Sequence, residues 1–256
     1  MPNNVQGRKM DDKTVQSVLI VFAMQAEAQP LIQALGLEKD EPPKIIGPAP
    51  CVTFSSQHED LQVHVVWNGK DEETGVDNVG TVPASLSTYL AVLAFKPDVV
   101  ISAGTAGGFR AQGAAIGDVF LGTAVINHDR RIPLPSFDKY GIGYSLCLAT
   151  PRLQAELGLK QGVVSSGNSL DYTDKCMEIM GQHQVAVKEM EAAAIAWACN
   201  LYHVPLMCVK AVTDIVDGDR PTSEEFLENL HAAAAALQNT LPRVLGRLAG
   251  RKLSEL

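Results

Sequence analysis

Residues 18–23 read VLIVFA, six apolar side chains in succession with none left for a solvent-facing side. A strand of that kind is stable only when both faces are covered, the environment of a parallel strand between helices. The pattern returns at 99–103 and 206–212, and the runs 117–125, 162–166 and 185–187 read as further strands. Helical spacing fills the gaps: 25–35 through Ala28, Leu31, Ile32 and Leu35, then 82–95 before Pro97, then 151–159 and 191–202. Segments 52–55 and 61–67 flank a polar stretch and read as a hairpin. Thr222-x-x-Glu225 reads as a capping box that opens a C-terminal helix, and Pro242 is expected to kink or break that helix. Residues 104–108 read as a loop, and 128–143, rich in Pro and Gly, as a long surface excursion. Strands alternate with helices without a linker or repeat. The expectation is a single α/β domain over 17–256, its mixed, mostly parallel central sheet flanked by helices, behind a polar tail at 1–16.

Composition allows such a core, with 46% hydrophobic and 20% charged residues over 256 positions. A formal charge of −8 makes a nucleic-acid partner a poor expectation. No apolar run approaches the ~20 residues that span a bilayer, and the polar start, with Asp11 and Asp12, is unlike a signal peptide, so no membrane association is expected. The five cysteines are scattered and include no C-x-x-C pair; Cys199 and Cys208 sit in apolar runs and read as small core residues. A reducing, cytoplasmic compartment is the expected home.

Open α/β sheets bind ligands beyond the carboxyl ends of their strands, so the residues that follow each strand form a functional census. After VLIVFA come Met24 and Glu27, and after VVISA come Gly104-Thr105-Ala106-Gly107-Gly108. After VAVKE come Met190 and Glu191, and after LMCVKAV come Thr213 and Asp214. Three carboxylates and a glycine-rich segment thus converge on one edge. Each piece alone has a plain structural reading. Glu27 and Glu191 fall in first helical turns, where the helix dipole favours a carboxylate, and Asp214 could cap a turn. The glycine-rich segment matches neither a phosphate loop nor a dinucleotide fingerprint. The histidines show no metal-ligand spacing, so no metal or other cofactor is expected. What carries weight is the joint occurrence.

The same residues carry a resemblance. Ala23-Met24-x-x-Glu27, Gly104-Thr105-Ala106-Gly107-Gly108, Glu189-Met190-Glu191-Ala192-Ala193 and Thr213-Asp214 stand in the order found in 5′-methylthioadenosine/S-adenosylhomocysteine nucleosidases, from about Ser17 to the C-terminus. His128-Asp129-Arg130-Arg131-Ile132-Pro133 and Val216-Asp217-Gly218-Asp219-Arg220-Pro221-Thr222 resemble the plant-type branch in particular. The resemblance implies a phosphorylase/hydrolase α/β fold that cleaves the N-ribosidic bond of 5′-methylthioadenosine, a nucleoside, to adenine and 5-methylthioribose. It implies that Asp214 protonates N7 of the departing adenine and that Glu27 takes a proton from the attacking water. Glu191 would bind the ribose hydroxyls and Met190 would pack against the sugar and its thioether. Gly104, Thr105 and Thr213 would line the site, and Lys210 would stand near the water or behind it. A free Asp has a pKa near 3.9, so holding Asp214 protonated at pH 7 costs roughly 4 kcal/mol and needs a desolvated position.

Water against phosphate is the main chemical fork. The turn after the first strand carries Glu27 and neither a glycine-rich motif nor an arginine, and a carboxylate there repels phosphate and suits water. Two positions depart from the family pattern. Asn168 stands near the base pocket where an Asp is usual, and Leu170 replaces an aromatic that flanks adenine. Ser136, Phe137 and Tyr140 lie in the 128–143 loop, which in relatives closes the alkylthio pocket across a homodimer interface. Plant-type relatives favour the short thioether over S-adenosylhomocysteine, which is expected as a weaker substrate. The alternatives are a purine nucleoside or methylthioadenosine phosphorylase, and a catalytically inactive storage or binding protein of the same fold.

Overall fold

The computed structural model describes residues 13–58 and 60–256; residues 1–12, with Asp11 and Asp12, lie outside it. In chain order the elements are β1 (Ser17–Phe22), α1 (Gln25–Ala34), β2 (Glu38–Lys39), β3 (Val52–His58), β4 (Leu61–Trp67), α2 (Thr81–Phe95) and β5 (Val99–Gly108). There follow β6 (Val119–Asn127), α3 (Phe137–Ile142), β7 (Ser145–Leu146), α4 (Pro151–Leu157), β8 (Lys160–Ser166) and α5 (Asp174–Gln182). The chain ends with β9 (Val185–Glu189), α6 (Ala192–Tyr202), β10 (Leu206–Ile215) and α7 (Thr222–Leu248).

The double-sided apolar strand behaves as its composition requires. Val18, Ile20 and Phe22 of β1 pack into one core with Leu31 of α1 and Leu237 and Leu241 of α7. Leu19 and Val21 point the other way, into a second core with Ala84 and Ala91 of α2 and Ile195 of α6. Period-two alternation thus feeds two cores rather than one core and solvent. Strand β1 runs parallel to β4 and β5, while β3 and β4 form the expected antiparallel hairpin. Beyond β5 the sheet closes on itself. β5 pairs with β10 in parallel, β10 with β6 antiparallel, β6 with β8 and β8 with β9 in parallel, and β9 returns antiparallel to β5 at Gly107 and Gly108. The sheet is therefore mixed, as expected, with its longest pairing parallel.

Four local expectations are corrected. Residues 104–108 are not a loop: β5 continues through Gly108, because this stretch has partners on both sides, in β10 and in β9. Strand β10 likewise runs three residues further than its apolar run, so Thr213 and Asp214 stand within it rather than beyond it. Thr222 and Glu225 form no capping box. The Glu225 carboxylate instead accepts from the backbone N–H of Ile215 at 2.9 Å, a tertiary bond that overrides the local pattern. Pro242 does not end α7, which runs unbroken to Leu248. A mid-helix proline costs about 3 kcal/mol. Leu237, Leu241, Val244, Leu245 and Leu248 of the same helix are all buried, and each full burial contributes roughly 1.5–3 kcal/mol, so packing wins.

The 128–143 segment is only partly irregular, since it includes α3 and a buried His128 whose Nδ1 lies 2.8 Å from Ser165 Oγ. Val15 is fully buried and its N–H bonds the Arg251 carbonyl at 2.8 Å, so the packed chain already includes residues just before β1. Cys199 and Cys208 are buried as expected, and all five cysteines are free thiols. Among the described residues no helix is long and apolar enough to cross a membrane.

Candidate active site

A cavity of about 270 Å³ opens where the ends of β1, β5, β9 and β10 meet. It is lined by Glu27, Glu189, Glu191 and Asp214, with Lys188 as its only cationic side chain among the described residues. Four carboxylates around one small space is the electrostatic signature of the site, and the backbone explains how each is held.

Glu27 sits in the first turn of α1, directly after β1, and is buried. Its Oε1 accepts from both the N–H and the Oγ1 of Thr105 at 2.7 Å, and its Oε2 from the N–H of Met24 at 3.3 Å. Gly104 leaves room for this carboxylate, since a Cβ there would stand 3.3 Å from both Glu27 oxygens. Burial raises the Glu27 pKa above its ordinary value, against the opposing pull of the Thr105 bonds and of Lys210. A carboxylate with a raised pKa is a stronger base, as water activation needs.

Asp214 is aimed by a bulge. The β10–β5 register slips between Val212 and Asp214, which leaves Thr213 as the extra residue and rotates the next side chain towards the cavity. The Thr213 hydroxyl then donates at 2.7 Å to Asp214 Oδ1, fixing its rotamer. Gly107 faces the other oxygen: a Cβ there would meet Asp214 Oδ2 at 2.6 Å, so a side chain at 107 would displace the carboxyl. Burial raises the Asp214 pKa, opposed by the Thr213 bond and by Lys188, and assisted by Glu225. That is the direction a proton donor at neutral pH requires.

Glu191 occupies the N-cap position of α6, half-buried and facing the cavity, and its Oε1 accepts from the N–H of Gly80 at 2.8 Å. Burial and then the neighbouring Glu189 carboxylate push its pKa up to about 8, against Lys210 and the Gly80 bond. Met190 and Leu170 also line the cavity, with Leu170 on its open side.

Two candidate residues stand behind the cavity wall. Gly104 acts through the space it leaves for Glu27. Lys210 is fully buried and pairs with Glu189 Oε2 at 2.9 Å. Burial alone would lower the Lys210 pKa, but the Glu189 and Glu191 carboxylates outweigh it and raise it. Asn168 is not in the cavity wall; its side chain reaches the start of α2.

Sequence reasoning missed four contributors. Glu189 is the hub of the cavity's inner wall: it accepts from Ser166 Oγ, from the N–H of Ala192 at 3.0 Å and from Lys210. Its position beside Met190-Glu191 was visible, but nothing in the spacing told that both glutamates reach the cavity. Lys188 donates to the carbonyls of Ser169 and Leu170 at 3.0 and 2.8 Å, holding the loop that carries Leu170. Tyr172 and Phe226 supply the aromatic surface that Leu170 lacks. They stand well beyond the ends of β8 at Ser166 and β10 at Ile215, out of reach of a census of the residues directly after each strand.

Glu27 and Asp214, two buried carboxyls with raised pKa values, thus share one small cavity at the strand ends of a mixed α/β sheet. The model for the phosphorylase superfamily matches residues 17–246. A 5′-methylthioadenosine nucleosidase of Arabidopsis thaliana is 46% identical over 95% of this chain and 91% of its own. A 5′-methylthioadenosine/S-adenosylhomocysteine nucleosidase of the same plant is 44% identical over 97% of this chain and 98% of its own. The solved apo structure of the Arabidopsis 5′-methylthioadenosine nucleosidase superposes with a TM-score of 0.93, covering 95% of this chain and all of that one. The chain belongs to the phosphorylase superfamily and, within it, to the 5′-methylthioadenosine/S-adenosylhomocysteine nucleosidases.

Proposed function

We propose that this protein hydrolyses the N-ribosidic bond of 5′-methylthioadenosine to adenine and 5-methylthioribose, with weaker action on S-adenosylhomocysteine. The observation that carries the reading is the pair Glu27 and Asp214, both buried, both raised in pKa, on one small cavity. Asp214 donates a proton to N7 as the C–N bond breaks, so adenine leaves neutral. Glu27, fixed by Thr105, accepts the proton of the water that adds to the sugar carbon. Met190 packs against the sugar and thioether, and Leu170 with Tyr172 flanks the base. Hydrolysis is favoured over phosphorolysis on charge, since four carboxylates face one lysine, and that lysine is bonded to two carbonyls. The same intact set argues against an inactive storage protein. Adenine release measured side by side from 5′-methylthioadenosine and S-adenosylhomocysteine tests the substrate order; faster release from the second would reverse it.

Glu191 binds the ribose hydroxyls and faces the positive charge that develops on the ring, work that suits its ionised form. Its pKa of about 8 then predicts a kcat/KM that rises with pH towards 8 through this group. Glu191→Gln is expected to lose at least tenfold in kcat/KM and to lose that acid limb. Linkage supplies a second readout. A folded-state pKa above the unfolded value means that stability is lost as pH rises between the two, so Glu191→Gln should melt higher than the parent at pH 7. An unaltered acid limb in the variant would remove Glu191 from this role.

The working form we propose is a cytoplasmic homodimer. Val82, Leu86, Tyr89 and Leu93 form an exposed stripe along α2 at helical spacing, and Trp197 and Leu201 extend it across the adjoining α6. Leu134, Phe137 and Tyr140 of the 128–143 segment are exposed as well. A second copy covering this face, with that segment near the partner's site, accounts for apolar surface that water would otherwise meet. Sedimentation of the parent should give a dimer and Leu86→Asp/Trp197→Asp a monomer; a monomeric parent sinks the proposal. Four buried free thiols fit a reducing compartment.

A further inference from the structure

Helix α2 begins on Gly80, whose φ of +95° and lack of a side chain leave the helix without a cap of its own. An acceptor arrives instead from the loop after β8. Asn168 Oδ1 takes the Thr81 N–H at 3.0 Å and the Thr81 Oγ1 at 2.9 Å. Asn168 is itself anchored, since its N–H donates to Asp129 Oδ2 at 2.6 Å. One residue earlier on the helix, the Gly80 N–H donates to Glu191 Oε1. The start of α2 is therefore shared by two side chains from elsewhere in the chain: Asn168 holds it, and Glu191 uses it.

We infer that Asn168 is a positioning residue for the reaction, which caps α2 in trans and so presents the Gly80 N–H to the ribose-binding carboxylate of Glu191. The assignment rests on the reading of Glu191 given above. The geometry leaves little slack, because a Cβ on Gly80 would stand 3.0 Å from Asn168 Oδ1. An uncapped helix start frays, and a frayed first turn would carry the Gly80 donor away from Glu191. A neutral amide suits this place. It supplies the acceptor oxygen without adding a charge beside Asp129 and near Glu191, which burial and Glu189 already make hard to ionise.

The test is adenine release from 5′-methylthioadenosine by Asn168→Ala, Asn168→Asp and Glu191→Gln, and by Asn168→Ala in the Glu191→Gln background. Loss of a cap predicts that Asn168→Ala lowers kcat/KM roughly five- to tenfold, mainly through KM. Asn168→Asp keeps an acceptor at the same reach but adds a charge beside Asp129 and near Glu191, so it should recover part of the loss and move the acid limb to higher pH. In the Glu191→Gln background the alanine should cost less than twofold, because the group it positions is already disabled. An equal loss in both backgrounds would make Asn168 a merely structural residue and overturn the inference, as would parental kinetics for Asn168→Ala. Parental activity in Glu191→Gln would instead overturn the reading of Glu191, and the inference with it. Should Asn168→Ala fail to fold, Thr81→Val removes one of the two donors. It should show the same dependence on Glu191 at about half the effect on a logarithmic scale, and its absence would count against the inference.

Discussion

Asp214→Asn is expected to lower kcat for 5′-methylthioadenosine by about a thousandfold while the protein folds as before, within the 10²–10⁴ range of a general acid. The amide is nearly isosteric. It can still accept from Thr213 Oγ1 and still fits against Gly107, so packing is not the variable. What it cannot do is give up a proton to N7. Asp214 must be protonated to act and its pKa is raised by burial, so this group makes activity fall as pH rises through that pKa. The variant should lack that basic limb. It should also gain stability at neutral pH, because a carboxyl raised in the folded state opposes folding above its unfolded pKa. Full activity in Asp214→Asn would remove the leaving-group argument.

Glu27→Gln should lower kcat by about 10²- to 10³-fold with KM changed little, since Glu27 meets the water rather than the nucleoside. The glutamine oxygen can keep both Thr105 bonds. Its NH₂ would face the Met24 N–H where the carboxylate oxygen now accepts, a mild conflict at a 3.3 Å contact. The split between kcat and KM separates this role from that of Glu191, whose loss should weaken ribose binding. A Glu27→Gln enzyme with parental kcat would leave the water without a base.

The three acidic residues at the heart of the site were legible because each follows an apolar strand, and a strand apolar on both faces announces its own end. Glu27 after VLIVFA and Glu191 after VAVKE needed nothing more. Asp214 was found for the right reason in slightly the wrong place, since β10 carries it inside the sheet. The strand extension was hidden because Gly104-Thr105-Ala106-Gly107-Gly108 has low intrinsic strand preference. Those glycines belong in the sheet because other groups crowd them: the Asp214 carboxylate against Gly107, and the side chains of Val212 and Ala114 against Gly108. Glu225 illustrates the opposite failure. Its local spacing fits a capping box, but the free N–H of Ile215 at the end of β10 was the better partner, and no window of sequence displays that. Asn168, read as a change near the base, turned out to act at a helix start contributed by a segment nearly ninety residues earlier. Long-range pairings of this kind are what a linear reading lacks.

Adenine release from 5′-methylthioadenosine in phosphate-free buffer containing a chelator decides between hydrolysis and phosphorolysis. A hydrolase gives full release under those conditions, with 5-methylthioribose as the co-product and no acceleration on adding phosphate. Release that appears only with phosphate, yielding a sugar 1-phosphate, would contradict hydrolysis and leave Glu27 without the role assigned to it.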